Sequence, residues 1–181
     1  MFALCASVVA QAAYVDWQLA YITKDATTIA DWGSTTKGDP TGYTAYLLTA
    51  DAYDGLAKTD GAINSVSDMI AASSGSASLN YDKNSKGNYY YTTGTKQATV
   101  DSTDTNYYIL LSDGDKYTVA VSNASATPYA DATGMGTGLT PNLTTSGLSA
   151  PASYTAFAPE PTSGILMLVG FGALALRRRR A

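Results

Sequence analysis

The side chains able to do chemistry in this chain are acids and phenols, with few bases beside them. Between Ala13 and Ala158 there are fourteen aspartates, fourteen tyrosines and seven lysines, and no histidine, glutamate, arginine or cysteine. Lack of imidazole removes Ser-His-Asp and Cys-His arrangements, histidine metal ligands and a histidine general base. Carboxylate chemistry of the glycosidase kind needs two carboxyls held across a substrate cleft. Most of the aspartates stand beside Gly, Thr, Ser or Asn in apparent turns, where the side chain bonds to nearby backbone amides. The expectation is a non-catalytic chain with no catalytic residue, no metal site and no cofactor.

Two acidic groupings, Asp113-Gly114-Asp115 and Asp101-Ser102-Thr103-Asp104-Thr105-Asn106, carry oxygen donors of the kind calcium prefers. Neither has the alternating ligands and closing glutamate of an EF-hand loop, and turn formation accounts for both. The tyrosines pose a similar choice in Tyr89-Tyr90-Tyr91 and Tyr107-Tyr108. Consecutive strand residues face opposite sides, so each cluster offers a ring to solvent, and Tyr90 and Tyr108 are candidates for stacking on sugar rings. The competing role is packing at the core margin, with the ring buried and the hydroxyl in water.

These groups must be positioned by a β-rich framework. Abundant tyrosine and threonine suit a pleated, half-buried surface. The clearest element is a hairpin of Asn106–Ser112 and Lys116–Ser122 around the three-residue loop Asp113-Gly114-Asp115, with Tyr117, Val119 and Val121 alternating onto one face. Further strands are expected at Trp17–Thr23, Gly42–Ala50, Asn88–Thr93 and Gln97–Asp101, bordered by turns at Asp39–Gly42 and Asn84–Gly87. Ile63, Val66 and Ile70 recur at helical spacing and predict one short amphipathic helix over Ala62–Ala72. The fold class expected is mainly β, a small antiparallel β-sandwich with one short helix. Residues 124–158 are rich in Ala, Thr, Gly, Ser and Pro and read as a linker.

The 146 residues from Ala13 to Ala158 suffice for one domain and hold a formal charge of −7, against −4 for the whole chain. Such a surface repels phosphates, so nucleic acid is not an expected partner.

Both ends carry targeting patterns. Phe2 to Ala10 is apolar, and Ala10-Gln11-Ala12 has the small-x-small form that precedes signal-peptidase cleavage, giving a signal peptide over 1–12. No lysine or arginine precedes Lys24, so the positive end of that signal is expected upstream of Met1. The competing reading is a buried first strand or helix. At the other end stand Pro159-Glu160-Pro161, then the apolar run Ile165, Leu166, Met167, Leu168, Val169, Gly170, Phe171, Gly172, Ala173, Leu174, Ala175 and Leu176, then Arg177, Arg178, Arg179 and Arg180. As a helix the twelve-residue run spans roughly 18 Å, short of a bilayer's roughly 30 Å core. It is apolar all round, unlike a core helix, and the arginines resist translocation, leaving everything before Pro159 outside the inner membrane.

This order of motif, apolar run and basic block resembles the tail of PEP-CTERM proteins, exported bacterial proteins handled by exosortases. The resemblance covers residues 159–181, and the Leu-Pro-x-Thr-Gly motif of the Gram-positive cell-wall sorting signal is absent. It implies that Pro159, Glu160 and Pro161 are the recognition motif, and that Ile165–Arg180 forms a sorting helix with its basic stop. A membrane-embedded, transpeptidase-like enzyme then removes that tail. The implied partners are the exosortase, the export machinery and, transiently, the inner membrane. The domain order expected is a signal at 1–12, an exported β-rich domain at 13–123, a linker at 124–158 and the sorting signal at 159–181. The exported part is expected to be structural or adhesive at the cell surface or in an exopolysaccharide matrix, with a carbohydrate-binding module using exposed tyrosines as the alternative.

Overall fold

The computed structural model describes residues 12–20, 22–24, 36–84, 87–130, 143–146 and 154–158. Pro159, Glu160 and Pro161, the apolar run over 165–176 with its expected sorting helix, and Arg177 to Arg180 lie outside these residues. The chain opens with β1 (Ala12–Ala20) and β2 (Ile22–Lys24). Next, β3 (Pro40–Thr49) runs into helix α1 (Ala50–Gly55), the small hairpin β4 (Lys58–Thr59) and β5 (Ala62–Ile63), and helix α2 (Val66–Ala72). There follow β6 (Gly75–Asn84), β7 (Gly87–Thr92), β8 (Lys96–Asp101), β9 (Asn106–Ser112) and β10 (Lys116–Ser125), then β11 (Leu143–Ser146) and β12 (Thr155–Ala156).

The protein is mainly β, built on a curled antiparallel sheet of seven strands in the order β12-β10-β9-β3-β6-β7-β2. A three-stranded sheet, β11-β1-β8, joins it in a common core, with β1 antiparallel to β8 and parallel to β11. Val15, Trp17 and Leu19 on β1 alternate onto that core and are fully buried, clustered with Ala45, Leu47, Leu79, Tyr90, Ile109 and Leu111 of the larger sheet. Each such large side chain contributes roughly 1.5–3 kcal/mol by leaving water. A second cluster lies on the other face of the larger sheet. There Leu48, Leu110 and Tyr117 meet Leu56, Ile63 and Met69, supplied by α1, the β4-β5 hairpin and α2. Central strand β9 is therefore apolar on both faces, which explains the unbroken run Tyr107 to Leu111.

The expected hairpin forms with the predicted loop, but its second arm does not keep one face. Register shifts on either side of Val121 break the alternation, and Asn123 takes a positive φ of 53°. Tyr117 and Val119 consequently serve the second cluster while Val121 enters the first, as a β-bulge allows.

The helical expectation over Ala62–Ala72 is corrected in two ways. Asp60 and Gly61 hold φ values of 52° and 82°, the left-handed pair of a two-residue hairpin turn, so Ala62 and Ile63 pair with β4 as a strand. Helix α2 starts after Ser65, whose Oγ accepts from the Asp68 amide at 3.3 Å. With that start Met69 is buried, while Ile70 is 46 % exposed. There are also two helices among the described residues, not one. Thr49 caps the unexpected α1, its Oγ1 accepting from the Ala52 amide at 3.2 Å.

The linker expectation for 124–158 is corrected as well. Ala126 is buried, Tyr129 bridges to Tyr14 through two backbone hydrogen bonds of 2.8 and 3.0 Å, and β11 and β12 both add to sheets. Leu143 enters the first core, beside a strand register in which Trp17 is its partner. Small residues signal no packing by themselves, and these sparse apolar side chains are the ones that dock.

Candidate functional site: the carboxyl-terminal strap

Pro159-Glu160-Pro161 follows directly on the last described segment, the strap Tyr154–Ala158. Strap strand β12 is only two residues long and extends the free edge of β10, with Lys116 opposite Ala156 and Tyr117 opposite Thr155. Its aromatic residues flank that pairing. The Tyr154 ring lies 5.2 Å from the Tyr43 ring, with Lys116 Nζ 5.4 Å from its centroid, and the Phe157 ring lies 4.9 Å from that of Tyr117. Phe157 thereby joins the second cluster.

Backbone bonds continue to the last described residue. The Phe157 amide donates to the Asp115 carbonyl at 3.5 Å, and the Ala158 amide donates to the Ile63 carbonyl at 2.9 Å. Ile63 is in turn tied to β10, since its amide donates to the Tyr117 hydroxyl at 2.8 Å. Proline follows at 159. It has no N–H to continue such bonding, and it favours extended backbone at the residue before it.

Beside the strap lies the β9-β10 loop, where the acidic groups do the work of a turn. Asp113 Oδ1 accepts from the Asp115 and Lys116 amides, each at 3.0 Å, and Ser112 Oγ accepts from the Gly114 amide at 3.0 Å. Gly114 supplies the positive φ of 99°. Burial works to raise the Asp113 pKa, but the amides of Lys116 and Asp115, the Tyr43 hydroxyl and the Lys116 charge together hold it below its ordinary value. In the second acidic grouping Asp104 Oδ2 accepts from the Asp101 amide at 3.0 Å, while the Asp104 amide donates to the Asp101 carbonyl at 3.0 Å. Asp51 and Asp104 line one shallow pocket there with Thr103, Thr105 and Asn106. Among the described residues no group of three His, Cys, Asp or Glu side chains is placed to hold a metal ion.

The two tyrosines singled out as glycan contacts are far apart in role. Tyr90 is fully buried in the first core, its ring 5.4 Å from that of Tyr81, so it presents no platform to a sugar. The strand pattern misplaces it because β7 turns Tyr90 toward the core that β1 covers. Tyr108 is half-buried and stacks on Tyr53 at 4.1 Å, with Lys58 Nζ 4.2 Å from the Tyr53 centroid. Sequence reasoning missed the strap altogether. Its only signal was Tyr154 and Phe157, two aromatics three apart in an otherwise small-residue stretch.

The last described residue of this acidic β domain is followed in the sequence by a short proline-bounded motif, an apolar run and four arginines, the three parts of a membrane-sorting tail. A family model described as the PEP-CTERM protein-sorting motif matches residues 158–180, and the chain carries that motif as an exported substrate of an exosortase, a membrane enzyme. No curated protein and no solved structure matches the chain. Among the described residues no helix is long and apolar enough to cross a membrane.

Proposed function

We propose that this is a non-catalytic structural or adhesive protein of the cell surface or exopolysaccharide matrix, delivered there by its sorting tail. The observation that carries the reading is the continuity of a packed β domain with the PEP-CTERM motif at residue 158. Composition supports it, since −7 over 146 residues without histidine suits a solvated extracellular body more than a catalytic cleft. The role of the aspartates around Asp113 and Asp104 in closing turns points the same way.

Intact mass spectrometry on the protein from its host, fractionated into inner membrane, outer membrane, matrix and medium, tests delivery with and without the exosortase. A tail lost near Pro159 only when the exosortase is present, with the trimmed domain in the surface or matrix fraction, is the expected result. A deletion strain with unaltered attachment and matrix cohesion would exclude the structural or adhesive role even if delivery held.

A further inference from the structure

Tail removal requires an enzyme to hold the chain on both sides of the bond it breaks, and on one side there is little chain to hold. Only Pro159 to Gly164, six residues, separate the docked Ala158 from the apolar run at Ile165. Fully extended they reach about 20 Å. Extended-peptide recognition engages several consecutive residues, so a grip on the amino-terminal side of the motif falls on Phe157 and Ala158. Those two residues are occupied by Tyr117, Asp115 and Ile63.

We propose that the strap Tyr154–Ala158, which immediately precedes the sorting motif in the chain, is a latch, that the exosortase acts on the undocked strap, and that Phe157 is the positioning residue that sets how often it is free. The inference rests on the reading of the tail as an exosortase substrate. The attachments are of the right kind for local opening. Thr155 and Ala156 are exposed and the ladder is two residues long, so opening gives up chiefly the Tyr154 and Phe157 ring contacts, the Lys116 ammonium beside the Tyr154 ring, and the amide bonds of Phe157 and Ala158. Removing the strap takes the partly buried Tyr154 and Phe157 from the margins of the two clusters but leaves every buried member of both, and the β9-β10 pairing, in place, so it can open while the domain stays folded.

Pulse-chase of the full-length protein in its host tests the latch by the rate of tail removal. Phe157→Ala is expected to speed removal about three- to ten-fold, the scale set by losing one aromatic pair. A Gly/Ser spacer inserted after Ala158 is expected to speed removal too, and to make Phe157→Ala without further effect. In the opposite direction, Lys116→Cys with Ala156→Cys places a disulfide across the β10-β12 pairing and is expected to slow removal until reductant is added. Unchanged or slower removal in Phe157→Ala, together with normal removal in the oxidised cysteine pair, would overturn the latch. Should Phe157→Ala be degraded, the spacer and cysteine variants still decide. Removal that proceeds equally without the exosortase overturns the underlying reading instead, whereas removal that needs the enzyme but ignores the strap overturns the latch alone.

Discussion

The Tyr117 hydroxyl accepts a hydrogen bond from the Ile63 amide at 2.8 Å, inside a cluster where Ile63 is fully buried and Tyr117 nearly so. That bond joins the β4-β5 hairpin to the sheet edge that carries the strap. Tyr117→Phe keeps the ring against Phe157 but strands a buried amide, at a cost of about 1–3 kcal/mol. Urea titration should show a lower midpoint with an unchanged slope, because no surface is newly exposed in the native state. A midpoint equal to wild type would mean that the hairpin relaxes to find another acceptor.

Close packing between the sheets makes a separate demand at Gly75, the first residue of β6. A Cβ built there lies 3.2 Å from the Ala98 Cβ and 3.4 Å from Trp17 Nε1. Gly75→Val should overpack this contact and cost about 1–3 kcal/mol, read as a lower thermal midpoint. Adding Ala98→Gly should recover part of the loss; a double variant no better than the single would place the strain elsewhere.

Legibility in the sequence followed the strength of each local signal. The β9-β10 hairpin was readable because Asp113-Gly114-Asp115 sits between two apolar runs, and β3, β7 and β8 fell within two residues of expectation at each end. By contrast β6 went unseen, although Ala77, Leu79 and Tyr81 alternate onto the core, because Ser, Ala, Gly and Asn dominate its composition. The Asp60-Gly61 turn was a strong hairpin signal hidden under an equally good helical spacing of Ile63, Val66 and Ile70. The sorting motif was legible in full, since it is read as a linear string. Its docking was not, because contacts such as Ala158 to Ile63 span 95 residues and leave no mark in local pattern.

Acid should loosen the loop beside the strap. The Asp113 pKa is depressed in the folded protein, so its contribution is present above the unfolded value of about 3.9 and is lost as pH falls through the lower folded value. Asp113 is exposed, which keeps the effect small, below about 1 kcal/mol. Asp113→Asn should lower neutral stability by no more than that amount, meet wild type at the acid end, and so flatten the profile across that window. An identical acid profile in both proteins would remove Asp113 from the account.

Alkali should act through the core tyrosines. Burial, with the neighbouring Tyr81, pushes the Tyr90 phenol up to about 12, and burial, with Asp104 nearby, pushes Tyr107 up to about 12. Both rings are fully buried, and the Tyr107 hydroxyl donates to the Asp104 carbonyl at 3.0 Å. An unfolded tyrosine ionises near pH 10, so the unfolded chain releases protons that the folded chain retains. Stability from each raised phenol is therefore complete below pH 10 and is withdrawn as pH climbs toward about 12, on the order of 1–3 kcal/mol per residue. Urea midpoints measured across this range should fall steeply. Tyr90→Phe removes one ionisable group without emptying its space, so its alkaline decline should be shallower than that of wild type. Parallel declines would show that Tyr90 ionises as readily folded as unfolded, and that the ring assigned to the core is reachable by solvent after all.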